Sequence, residues 1–160
     1  MEDFIQLEEK NVVNIGVKNS KGENTGVVIK FDLQDVELPL KMNKMEAMHK
    51  KNISVLAQKA VAIDKQEDKK GKFLLSWKIE QKLELLKEFY KREMDALDLF
   101  IGEGTTKKIL KAINRKPYYN MFDDIIDAIS PYFDKLDIEA DNLIKNIEAK
   151  YNINIDEITI

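Results

Sequence analysis

Asp98-Leu99-Phe100-Ile101-Gly102-Glu103-Gly104-Thr105-Thr106-Lys107-Lys108-Ile109 is the stretch whose reading decides the fold. Before it, Ile79, Leu83, Leu86, Tyr90, Met94, Leu97 and Ile101 recur at steps of three and four, which predicts a long amphipathic helix. Gly102 stands just past the last of them, where helices commonly end on a left-handed residue that costs glycine little. The hydroxyl of Thr105 or Thr106 is then placed to cap a short helix carrying Ile109, Leu110 and Ile113. Gly102, Gly104 and Thr105 therefore read as a structural corner that sets how the long helix meets those after it.

Working outward, the long helix is expected from about Phe73 to Ile101, preceded by the charged, apolar-free connection Asp64–Lys72. An earlier helix is expected from about Lys44 to Asp64, with Met45, His49, Ile53, Leu56, Ala60 and Ile63 on one stripe. Pro39 is expected to end the extended part of the chain, because it cannot donate to a strand ladder and restricts Leu38. Before it, Val13, Ile15 and Val17 alternate with more polar residues, and Val27, Ile29 and Phe31 repeat the pattern across the turn-forming segment Asn19–Asn24. This predicts a β-hairpin with a loop of several residues. A hairpin alone is marginal in water, so a third strand is sought in Phe4–Leu7, Val36–Leu40 or Ile153-Asn154-Ile155.

Beyond the corner, Asn114-Arg115-Lys116-Pro117 punctuates the chain, with Pro117 suited to a first helical position. Phe122, Ile126, Ile129, Phe133, Leu136, Ala140, Leu143 and Ile147 then follow at alternating steps of four and three. Pro131 falls inside this stripe, so either one helix kinks there or Ser130 caps a second helix. The whole reads as an α+β chain, mainly α: an N-terminal antiparallel β-hairpin or small sheet followed by an antiparallel helical bundle. A single domain, 1–160, is expected, with a β-rich element at 1–40, a helical part at 41–151 and a tail at 152–160.

Composition narrows the chemistry. The chain has 160 residues, 44% hydrophobic and 34% charged, long enough for a core and typical of a soluble helical protein. A net charge of −3 with interspersed signs gives no whole-molecule field favouring nucleic acid. The absence of cysteine removes disulfides, thiolate metal sites and cysteine nucleophiles. The acidic start Met1-Glu2-Asp3, with no long apolar run after it, argues against a signal peptide or a membrane span.

His49, the only histidine, sits on an apolar stripe and reads as a core or boundary residue. Ser20, Ser54, Ser76 and Ser130 lack the sharp turn a nucleophilic serine needs. Asp123, Asp124, Asp127, Asp134, Asp137 and Asp141 form an acidic band better read as a solvated face than as a metal site. The glycine corner fails the spacing of a phosphate loop, although a helix start there could meet an anion. Lys107, Lys108, Lys111, Arg115 and Lys116 beside Tyr118 and Tyr119 offer a nucleic-acid reading that the net charge disfavours. No catalytic, cofactor or metal residue is assigned, and protein binding through Phe122, Ile126, Ile129, Phe133, Leu136, Leu143 and Ile147 is the preferred reading.

The hairpin, the run Phe31-Asp32-Leu33-Gln34-Asp35-Val36-Glu37-Leu38-Pro39-Leu40, the Gly102-Glu103-Gly104 corner with Lys107-Lys108-Ile109 and the continuation Tyr118-Tyr119-Asn120-Met121 come in a suggestive order. Over roughly residues 10 to 135 the chain resembles the tail assembly chaperones of tailed bacteriophages and prophages of Gram-positive bacteria, including phage-tail-like particles. The resemblance implies a non-enzymatic protein of the host bacterial cytoplasm that coats the tape measure protein, helps recruit tail tube protein and leaves before the tail is complete. Many such chaperones also exist in a longer, frameshifted form. Self-association stays open at this point. The rival readings are a structural head–tail connector or completion protein, and a small nucleic-acid-binding regulator.

Overall fold

The computed structural model describes residues 2–8, 11–71, 75–134 and 136–152, without the side chains of 136–139. Strands β1 (Val12–Lys18) and β2 (Asn24–Asp32) pair antiparallel, with Ile15 opposite Ile29 and Val13 opposite Phe31. Their alternation turns Ile15, Val17, Val27, Ile29 and Phe31 toward the helices and leaves Val28 exposed on the other face. The Asn19 carboxamide oxygen closes the loop by accepting from the N–H groups of Lys21 and Glu23, both at 3.0 Å.

Among the described residues the sheet has two strands only. Phe4–Leu7 forms no strand, Val36–Leu40 leads into a helix, and Ile153–Ile155 lies outside the described residues, as does the tail from 153 on. Support comes instead from helices, because β2 lies against Trp77–Ile101 and Thr105–Ala112.

Helix α1 spans Glu37–Asp64 and so begins well before the expected Lys44. Pro39, expected to precede it, sits in its first turn. The N–H groups of a first turn lack intrahelical acceptors, so a proline there removes nothing the helix uses. The Asp35 carboxylate accepts from the Glu37 N–H at 3.0 Å, and Glu37 itself favours the positive helix end. Helix α2 (Trp77–Ile101) starts at Trp77, where Ser76 Oγ accepts from the Ile79 N–H at 3.3 Å; the expected start, Phe73, lies outside the described residues. The two helices run antiparallel, as the pairs His49–Glu93, Lys59–Glu88 and Asp64–Lys82 require.

Among the described residues three further α-helices follow: α3 (Thr105–Ala112), α4 (Met121–Ile129) and α5 (Leu136–Lys150). Helix α3 closes on Asn114 at φ 55°, with the Arg115 N–H reaching back to the Leu110 carbonyl at 2.9 Å. Pro117 is therefore in the connection and not at a helix start, since α4 begins at Met121. Around Pro131 neither expected arrangement holds. A 3₁₀ turn, Ser130–Phe133, separates α4 from α5, and Ser130 gives no side-chain cap. Pro131 stands at the start of that turn, where its missing N–H is harmless.

The core is an aromatic trio surrounded by aliphatic side chains. Phe31 lies 5.2 Å from Phe100 and 4.7 Å, edge to face, from Phe133, and Phe100 lies 5.1 Å from Phe133. Strand β2, the end of α2 and the 3₁₀ turn are thus pinned at one point. Leu97 and Met121 are fully buried beside it. Among the described residues, none of α1 beyond Met48 and none of α2 before Met94 joins this core. The outer halves of α1 and α2 accordingly form a two-helix arm.

Candidate partner-binding surface

Where the arm leaves the core, its interface turns polar. Glu93, 2% exposed, lies inside the α1–α2 contact. Its Oε1 accepts from Asn52 Nδ2 at 3.0 Å, and its Oε2 lies 2.5 Å from His49 Nδ1. Burying a carboxylate is costly unless hydrogen bonds replace its water, and these two partners do so. The His49 ring also stacks on Phe122, at 3.8 Å between centroids and 2° between planes, which ties α4 to the same place.

Beside this cluster lies a cleft of about 320 Å³ between α1, α2 and the start of α4. Ile53, Leu56, Leu86 and Tyr90 line its arm side, and Tyr119 and Phe122 its α4 side. Leu83 and Ile79 stand three and seven residues before Leu86, so they extend the same α2 face outward along the arm. Ile53 is 46% exposed, Ile79 49%, Leu83 50% and Tyr119 85%. An apolar strip therefore runs from the cleft along the arm.

Ion pairs and turn hydrogen bonds tie the arm together along its length and at its far end. Asp64 meets Lys82 at 2.6 Å, and the Asp68 carboxylate accepts from the Lys78 N–H at 3.0 Å. Glu88 accepts from Arg92 at 2.8 Å and Lys59 at 3.3 Å. The Lys82 hydrogen bond to Asp64, the Lys78 N–H to Asp68 and the Arg92 hydrogen bond to Glu88 each lower that carboxyl's pKa.

The corner is built as a turn, with an unexpected cap. Gly102 (φ 111°) and Gly104 (φ 77°) hold conformations that side chains rarely adopt. Gly104 occupies the capping position of α3, and neither threonine hydroxyl caps the helix. Thr105 Oγ1 donates backward to the Ile101 carbonyl at 3.1 Å. The cap is Asp98, whose carboxylate accepts from the N–H groups of Gly104 and Thr106, each at 2.9 Å, and from Thr106 Oγ1 at 2.7 Å. The positive end of α3 thus already holds an anion from the preceding helix, which answers the anion-site reading of this loop.

The C-terminal stripe divides. Ile129 and Phe133 are buried in the domain's own core, and Phe122, Ile126 and the neighbouring Ile125 pack partly against it. Leu143 is half-buried and Ile147 exposed on α5; the Leu136 side chain lies outside the described residues. Tyr118, on the connection before α4, donates to Asp124 at 2.9 Å and carries the Arg115 guanidinium 3.6 Å from its ring centre. Burial and the Asp124 hydrogen bond push the Tyr118 phenol up. Among the described residues no three His, Cys, Asp or Glu side chains converge to hold a metal, and no helix is long and apolar enough to cross a membrane.

The sequence reading missed Asn52 and Glu93, which take inward positions one step away from the apolar stripes. Their spacing gave the only signal: Asn52 lies seven residues after Met45, and Glu93 four before Leu97. No family model, curated protein or solved structure matches the chain.

Proposed function

We propose that this chain is a non-enzymatic assembly chaperone that holds a long, apolar-striped helical client. By its resemblance to tail assembly chaperones, that client is a phage tape measure protein. The protein would work in the cytoplasm of the bacterial host and assist the recruitment of tail tube protein. One observation carries the reading: the strip of Ile53, Leu83, Ile79 and Tyr119, left open along an arm that the core does not need. A helix with apolar residues three and four apart can lie in such a strip and remove both surfaces from water. The charged flanks of the arm, Lys59, Glu88 and Arg92 among them, keep the assembly wetted from outside.

Co-expression with the product of a neighbouring long helical reading frame tests this. The client is expected to stay soluble and co-purify with the chain, and to precipitate when Ile79 and Leu83 are both replaced by serine. Mass spectrometry of finished particles should find the chain scarce or missing. Stoichiometric retention in particles would instead support the connector reading, and an unaffected client would end the chaperone one.

A further inference from the structure

A second cleft lies between α2, α3 and the connection that follows, with a volume of about 570 Å³. Its floor is apolar, made by Met94, Leu110 and Pro117, and its rim is cationic, made by Lys107, Lys111 and Lys116 with Arg115. Among the described residues Lys41, Lys50, Lys59, Lys82 and Arg92 each pair with a carboxylate, while other lysines, Lys44, Lys51, Lys87 and Lys91 among them, do not; what sets this cleft apart is that its lysines converge on one apolar floor. Among the described residues, Lys107, Lys111 and Lys116 pair with none. On a chain of net charge −3, this collects unneutralised cations around an apolar floor. Its complement is a peptide both acidic and apolar.

The chain carries such a peptide. Glu2-Asp3-Phe4-Ile5-Gln6-Leu7-Glu8 sets three large apolar side chains among three carboxylates. Phe4, Ile5 and Leu7 are 85%, 87% and 82% exposed, so this copy's own body gives them no seat. Phe4–Leu7 drawn out at about 3.3 Å per residue spans about 13 Å, close to the length of about 12 Å that 1.5 Å per residue gives the helix Thr105–Ala112.

We propose that the segment Glu2–Glu8 of one copy seats in the Lys107–Lys116 cleft of a second copy, Phe4 and Leu7 on the apolar floor and the carboxylates against the lysines. Each copy offers both the peptide and the cleft, so a reciprocal exchange between two copies uses up both and gives a symmetric dimer, the closed form the experiment below tests for. The contact is charge-assisted and weakens as salt rises. It uses the α2–α3 cleft and leaves the arm strip open, so it stands independently of the chaperone reading.

Sedimentation of the full chain over a range of concentrations, at low and high salt, reads this out, with circular dichroism confirming that each variant is folded. The wild-type chain should pass from monomer to dimer as concentration rises, with the midpoint moving upward in salt. Phe4→Ser/Ile5→Ser/Leu7→Ser should be monomeric across the range. So should Glu2→Lys/Asp3→Lys/Glu8→Lys and Lys107→Glu/Lys111→Glu/Lys116→Glu, each set taken alone. Mixing the last two should restore a dimer, because each basic segment then meets an acidic cleft and each acidic segment a basic one. The proposal is overturned by a wild-type chain that stays monomeric, by a dimer that survives the serine triple, or by a mixture that does not associate. Binding of a labelled single-stranded oligonucleotide that Lys107→Glu/Lys111→Glu/Lys116→Glu abolishes, with self-association unchanged, would overturn it in favour of a nucleic-acid cleft.

Discussion

Glu93 Oε1 accepts a hydrogen bond from Asn52 Nδ2 at 3.0 Å inside the α1–α2 contact. With His49 on its other oxygen, the carboxylate makes a polar clasp where the arm meets the core. Such a clasp adds little net stability over a well-packed apolar contact, but breaking half of it is costly. Glu93→Ala should destabilise the fold by about 3 kcal/mol in urea unfolding, since it opens a cavity and leaves the Asn52 amide unpaired. Asn52→Leu/Glu93→Leu should lose far less than the alanine variant. Equal losses in the two would mean the clasp is ordinary packing.

Asp98 belongs to α2 but serves α3. Asp98→Ala removes the acceptor for two N–H groups and a hydroxyl, and should cost about 2 kcal/mol. Thr106→Val keeps the volume and loses the hydroxyl bond alone, so about 1 kcal/mol is expected. Gly102→Ala should cost at least as much, because a Cβ there meets Thr105 Oγ1 at 3.1 Å on a backbone at φ 111°. Thermal unfolding of the three variants checks the order. A further consequence is that phosphate should not raise the wild-type midpoint, whereas Asp98→Ala, its helix end vacated, should gain from it.

How much of this was legible in the sequence follows from which signals were local. The hairpin, the long second helix and the Gly102 stop depend on periodicity and on backbone freedom, both written in neighbouring residues. Pro39 misplaces the start of the first helix, because it suits a strand ending and a helix's first turn equally well. Thr105 and Thr106 stand where a local cap for α3 would be, whereas the real cap reaches in from Asp98. For the site, periodicity marks Phe122 to Ile147 as an apolar stripe, but a stripe does not say whether it faces its own core or a partner. Ile129 and Phe133 went inside; Ile53, Leu83 and Ile79 stayed open because the arm outruns the core.

Acid should loosen the arm from its tip. Asp64, Asp68 and Glu88 all titrate lower in the folded chain than their ordinary values of 3.8, 3.8 and 4.5. A lowered carboxyl stabilises the fold fully above its ordinary value, and the contribution disappears as pH falls through the folded one. Trp77, the only tryptophan, starts α2 at this end and donates its backbone N–H to the Lys69 carbonyl at 2.8 Å. Its emission should shift as pH drops below about 4, and the shift should shrink in Asp68→Ala, which already lacks the carboxylate that accepts from the Lys78 N–H. Emission that holds steady down to about pH 3 would show that these carboxyls do not hold the tip.

The arm strip and the aromatic trio are both apolar, yet they should answer mutation in opposite ways. Phe133 is 8% exposed and touches Phe31 and Phe100, so Phe133→Ala should cost about 3–5 kcal/mol and lower the yield of folded protein. Ile79→Ser and Leu83→Ser remove side chains already half in water, so each should change stability by less than about 1 kcal/mol. The same two changes should abolish retention of a long helical client in co-purification, because the client would lose the surface it was to cover. If the serine variants unfold as readily as Phe133→Ala, the strip is part of the fold. If they stay stable and still hold the client, its seat lies elsewhere on the chain.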